Sequence, residues 1–173
     1  MAQVCPEPVE GVHLGIAAET LDIRTIEVTT NAIGDALTLP VLLAQILQDE
    51  QLLSVGGDGA YDTRTFHAVI AERGAEAVIP VRCNGRPWTK DGLGVDARNE
   101  TLRATKRLGR AIWKKWSGYH RRSLVEAKMH CFKLLSQCAV ARTFDHQIAE
   151  LKVRAAILNR FSKIGTPITV RIA

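Results

Sequence analysis

Tyr119-His120-Arg121-Arg122-Ser123-Leu124-Val125-Glu126-Ala127-Lys128-Met129-His130-Cys131-Phe132-Lys133 lies at the centre of a strongly basic run. At about 100° per residue, Tyr119, Arg122, Glu126 and Lys133 share one arc roughly 60° wide. Leu124, Val125, Phe132 and Leu135 fall on the other side, so the spacing predicts an amphipathic helix over 119–137. Its polar stripe mixes one carboxylate with two fixed cations and a phenol. A carboxylate can hold a divalent metal, and flanking cations can hold phosphate. An ordinary solvated face with i,i+4 and i,i+7 charges is the alternative.

The charge balance around this stretch is uneven. Residues 97–142 hold twelve Lys/Arg and two Glu, a net of +10. Residues 1–96 are net −8 and residues 143–173 net +3. A basic block carried on two helices is an electrostatic footprint for a polyanion. Trp113 and Trp116 inside the block suit either packing or base stacking.

The four-residue spacing, Tyr119-x2-Arg122-x3-Glu126-x6-Lys133, resembles the signature around the last catalytic acid of DDE-type insertion-sequence transposases. Gly-Asp-Gly-Ala-Tyr-Asp-Thr-Arg at 57–64 is similar to the block around that family's second catalytic Asp. Residues 97–103, 113–123 and 149–161 are similar to the same family. The resemblance covers about residues 11–172.

It implies an α/β, ribonuclease-H-like fold: a mixed sheet with flanking helices. It also implies cutting and joining of DNA with two divalent ions held by three carboxylates, Mg²⁺ or Mn²⁺ being suited to that work. By motif, Asp58 and Glu126 are the implied catalytic and metal-holding acids. Tyr119, Arg122 and Lys133 are the implied contacts to the DNA backbone. In the family the first acid lies on the first strand, upstream of the hairpin found here. The expectation is therefore a domain incomplete at its first strand and inactive by itself. Residues 1–10 stand outside the resemblance, and 11–173 form the truncated catalytic domain. Cys5-Pro6-Glu7-Pro8-Val9-Glu10-Gly11 looks like a translated intergenic palindromic repeat of bacteria. The partners implied are transposon ends and target DNA. A homodimer, or pairing with the missing N-terminal part, is also open. A non-catalytic DNA-binding or regulatory fragment is the rival function.

The other elements follow from local pattern. Residues 12–17 and 23–29 read as an antiparallel hairpin, from β-branched alternation around a polar link. Asp35 caps a helix of about 36–48. Residues 52–57 form a strand running into Gly56-Gly57-Asp58-Gly59, where glycines allow a sharp turn and put Asp58 at a strand end. Asp62 or Thr63 caps a helix of about 64–73. A strand follows at 76–81, then helices at about 98–115 and 145–162.

The composition, 46% hydrophobic and 24% charged, is that of a globular domain. No apolar run nears the roughly 18 residues of a membrane span. The first residues lack the pattern of a secretory signal. Cys5, Cys83, Cys131 and Cys138 show no metal-type pairing, and a cytoplasmic chain with free thiols is expected. The five histidines lack ligand spacing, and no phosphate loop occurs.

Overall fold

The computed structural model describes residues 11–29, 38–136 and 139–165. The chain divides into two compact units. One joins Met1–Ala32 with Leu124–Ala173; the other is Ile33–Ser123.

The first unit holds strands β1 (Gly11–Ile16) and β2 (Ile23–Thr29) and helices α5 (Ser123–Leu135) and α6 (Phe144–Ile164). The hairpin is antiparallel as expected, with Val12 opposite Val28 and Leu14 opposite Ile26. Ile23 and Val28 of β2 pack into one apolar cluster with Phe132 of α5 and Leu151, Ala155 and Leu158 of α6. Leu151, Ala155 and Leu158 recur at helical spacing, which is why α6 turns that face inward. Asn159 fixes the helix to the strand. Its Oδ1 accepts from Ile23 N at 2.7 Å, and its Nδ2 donates to Ile23 O at 2.9 Å. One side-chain amide thus satisfies both backbone groups where β2 begins.

The second unit begins, among the described residues, with α1 (Thr38–Ala44) and continues through β3 (Ser54–Gly56), α2 (Arg64–Glu72), β4 (Glu76–Val78), α3 (Val95–Leu108) and α4 (Arg110–Trp116). Strands β3 and β4 are parallel, with Val55 opposite Ala77. Parallel pairing needs a crossover, and α2 supplies it. Leu43, Ile70 and Ile79 form the core between α1, α2 and the end of β4. Arg73 donates to the carbonyls of Leu43, Ile46 and Leu47, which satisfies acceptors at and beyond the end of α1.

Among the described residues the strands form two two-stranded ladders, one antiparallel and one parallel, rather than the single mixed sheet expected. The expected cap Asp35 lies outside the described residues. Several boundaries need correction: the helix expected to 48 ends at Ala44, and the strand expected over 52–57 is Ser54–Gly56. Strand β4 stops at Val78, two residues before Pro80, which has no N–H to offer a ladder. The single helix expected over 98–115 is two helices, broken at Gly109, a poor helix former. The helix expected from Tyr119 starts at Ser123, and Tyr119–Arg122 form a 3-10 turn instead.

Candidate nucleic-acid interface

Asp58 follows β3 and Gly57. Its Oδ1 accepts from Ala60 N at 2.8 Å and so caps the 3-10 turn Gly59–Tyr61. Its Oδ2 faces Arg122 Nη2 at 3.5 Å. That distance is a charge contact rather than a strong hydrogen bond. The two side chains are 39% and 36% exposed, so both remain open to solvent and to an incoming group.

Arg122 reaches Asp58 from the 3-10 turn that follows Gly118. The turn is built by Arg121 N donating to Gly118 O at 3.0 Å, and Ser123 Oγ donates to His120 O at 2.8 Å. The 100° wheel therefore does not run through 119–122. Residues three apart eclipse in a 3-10 turn, so Tyr119 and Arg122 still share a face. Tyr119 packs beside Trp113, ring centroids 5.9 Å apart, with Lys114 Nζ 5.2 Å from its ring centre.

Glu126 and Lys133 belong to α5 in the other unit. They are seven residues apart on a continuous α-helix and share a face. The sequence-identified set thus divides: Asp58, Tyr119 and Arg122 on one unit, Glu126 and Lys133 on the other.

The loop that carries Asp58 is held by a buried cluster that local sequence pattern did not point to. Asp62 is not the helix cap. Thr63 caps α2, with its hydroxyl accepting from Phe66 N, and Asp62 turns inward to 2% side-chain exposure. Arg98 of α3 grips it with two bonds, Nε to Oδ1 at 3.0 Å and Nη2 to Oδ2 at 2.9 Å. Such a fork is the strong geometry for an arginine–carboxylate pair. Arg82 N donates to Oδ2 at 3.2 Å, and His67 Nε2 lies 3.3 Å from Oδ1. Burial acts to raise the Asp62 carboxyl pKa. His67, Arg98 and the Arg82 amide outweigh it and hold that carboxyl well below the usual carboxylate range.

The same cluster extends outward. Arg98 also donates to Arg86 O at 2.7 Å and stacks 4.4 Å from the Trp88 ring centre. Asn99 brackets Trp88 through its backbone N–H and carbonyl, at 2.9 Å each. Arg82 meanwhile donates to the carbonyls of Gly59 and Ala60, in the turn that Asp58 caps. Asp62, Arg82 and Arg98 are positioning residues for Asp58. The blocks at 57–64 and 97–103 contained the signal for Asp62 and Arg98, because each block holds one half of the buried pair; Arg82 lies outside both.

The family model described as Transposase DDE domain matches residues 10–160. The chain belongs to the transposase DDE-domain family. No solved structure matches it. A transposase domain acts on DNA, and the family generally uses divalent metal. Whether the described residues suit such an ion is a matter of donors. Asp58 offers one carboxylate, whose Oδ2 is turned to a guanidinium, and no three His, Cys, Asp or Glu side chains cluster among the described residues. Within the unit that carries it, Asp58 is not part of a metal centre. No described helix of the transposase domain is long and apolar enough to cross a membrane.

Proposed function

We propose that this transposase domain belongs to the insertion-sequence group with the Tyr-Arg-Glu-Lys signature and that its fold is ribonuclease-H-like. Asp58 and Glu126 are its catalytic acids. Tyr119, Arg122 and Lys133 hold the phosphate backbone beside the scissile bond. The observation that carries this reading is the approach of Arg122 to Asp58. A cation suited to phosphate stands within 3.5 Å of the candidate acid, from a segment far along the chain. A phosphate arriving between them would draw the guanidinium toward its own oxygens, because anionic phosphate offers Arg a better fork than a single distant carboxylate oxygen. Mg²⁺ or Mn²⁺ is the ion we assign to the family's chemistry.

We further propose that residues 1–173 by themselves bind DNA without cutting it. The support is again at Asp58, where the carboxylate is paired with a cation rather than with a second carboxylate. The rival reading, a DNA-binding or regulatory fragment whose acids have no catalytic role, gives the same result with the chain alone. Strand-cleavage assays on transposon-end DNA with Mg²⁺ or Mn²⁺ test both, run with and without a polypeptide carrying an upstream transposase segment. Cleavage that needs the added segment and is lost on Glu126→Gln supports the catalytic assignment. Binding with no cleavage in either condition supports the rival. Cleavage by residues 1–173 alone that is lost on Glu126→Gln would overturn the claim of inactivity while keeping Glu126 catalytic.

A further inference from the structure

Trp113 and Trp116 sit three residues apart on α4, yet their environments are opposite. Trp113 is 3% exposed and packs beside Tyr119; Trp116 is 76% exposed. Burying an indole removes a large apolar area from water, so leaving one almost wholly in solvent forgoes a stabilising contact. Ile112, one helical turn before Trp116, is also exposed, at 58%. The pair forms a small apolar face at i,i+4 spacing.

The charge around that face decides its occupant. Helices α3 and α4 together carry seven Lys/Arg and two Asp/Glu, a net of +5. Some of these cations serve the fold. Arg98 is spent on Asp62, and Arg110 donates to Val81 O and Cys83 Sγ. Lys115, adjacent to Trp116 in the chain, is exposed, whereas Lys114 turns to the Tyr119 ring. An apolar protein partner would meet the net positive charge of these two helices around the indole. A polyanion that also presents flat apolar rings meets both features.

We propose that Trp116 is a stacking platform for an unpaired nucleobase, with Lys115 beside it for the adjoining phosphate. The ligand class is single-stranded or locally unpaired DNA. Base–aromatic stacking with a cationic margin is the usual physics of single-strand binding. Duplex DNA keeps its bases stacked on one another and gains nothing from the indole. This inference rests on the DNA-binding reading above and adds strand selectivity to it.

The test uses the full 173-residue chain with an oligo-thymidine and a duplex of equal length. Trp116→Ala weakens oligo-thymidine binding about tenfold, within the range for one stacked base. Duplex affinity stays within about twofold. Trp116→Phe restores most of the loss, because a phenyl ring still stacks. Oligo-thymidine quenches the tryptophan fluorescence of the wild type and leaves that of Trp116→Phe nearly unquenched. The salt dependence of binding keeps its slope in Trp116→Ala, because no phosphate contact is removed. Equal loss on both DNA forms in Trp116→Ala would overturn the stacking role. So would wild-type affinity of Trp116→Ala for oligo-thymidine. A wild type that binds neither DNA form would overturn the DNA-binding reading itself, and this inference with it.

Discussion

Arg122 Nη2 stands 3.5 Å from Asp58 Oδ2, although 64 residues separate them in the chain. Both groups are more than a third exposed, so their attraction is screened and contributes at most about 1 kcal/mol to stability. The proposed role of Arg122 is to bind phosphate rather than to hold the fold through this contact. Arg122→Ala is therefore expected to shift the urea midpoint only slightly while weakening DNA binding.

Arg122→Ala combined with Lys133→Ala removes the two proposed phosphate contacts. The slope of log K against log salt on duplex DNA is then expected to become shallower by about 2, at roughly 0.9 per contact. Affinity should fall alike on all sequences, since phosphate contacts carry no base information. An unchanged slope would mean that both cations are solvated surface.

The Asp62–Arg98 pair is the opposite case. It is buried, bidentate and surrounded by Trp88, His67 and the Arg82 amide. Arg98→Met is expected to cost about 3–5 kcal/mol, because it leaves a buried carboxylate without its fork. Asp62→Leu together with Arg98→Met should recover much of that loss, since no buried charge then remains. Urea denaturation of the two variants decides it. Equal losses in both would show that packing, and not charge, is what Arg98 supplies.

The hairpin was legible because β2 alternates β-branched residues. The helix α6 was legible because its apolar positions recur at helical spacing. Asp62 was not legible by local rules. Asp62 and Thr63 are both good caps, and nothing within a helical turn says which one faces inward. The partner that decides it, Arg98, lies 36 residues on. Trp113 and Trp116 share a helix and a basic surround, so sequence spacing could not tell the packed indole from the exposed one. The wheel drawn through Tyr119 failed for a local reason: the chain leaves Gly118 with i,i+3 bonds, and α-helical spacing starts only at Ser123. Asp58 and Glu126 were assigned by motif alone, and they lie on separate units.

Asp62 also sets an acid limit. Its folded carboxyl pKa is depressed, whereas in the unfolded chain an Asp titrates near about 3.9. Between those values the unfolded chain binds a proton that the folded chain does not, so stability rises with pH there. The contribution is full above about pH 5 and is lost as pH falls through 4 toward the folded value. The wild-type urea midpoint should fall steeply over that window. Asp62→Asn should start lower at neutral pH and fall less below pH 4. Glu150, lowered by the Ala141 and Val140 amides and by Arg154, adds a smaller share in the same direction because it is more exposed. Parallel pH profiles for wild type and Asp62→Asn would remove Asp62 from the account.

Two glycines with positive φ make a controlled pair. Gly94, φ +75°, precedes α3, and a Cβ built on it would lie 2.5 Å from the His67 carbonyl oxygen and 3.0 Å from its Cβ. Gly118, φ +70°, precedes the Tyr119–Arg122 turn, and nothing lies within 4 Å of its added Cβ. Gly118→Ala is expected to cost only the backbone term, about 1–2 kcal/mol. Gly94→Ala pays that term and must also push α3 away from α2. Since α3 carries Arg98, the displacement should loosen the grip on Asp62 and, through the 57–62 loop, the placement of Asp58. Gly94→Ala should therefore lose more stability than Gly118→Ala and also lower the protection of the Ala60 and Arg82 amides in hydrogen exchange. Equal stability losses for the two variants, with unchanged exchange at Ala60 and Arg82, would show that the close approach of Gly94 to His67 does not tie α3 to the Asp58 loop.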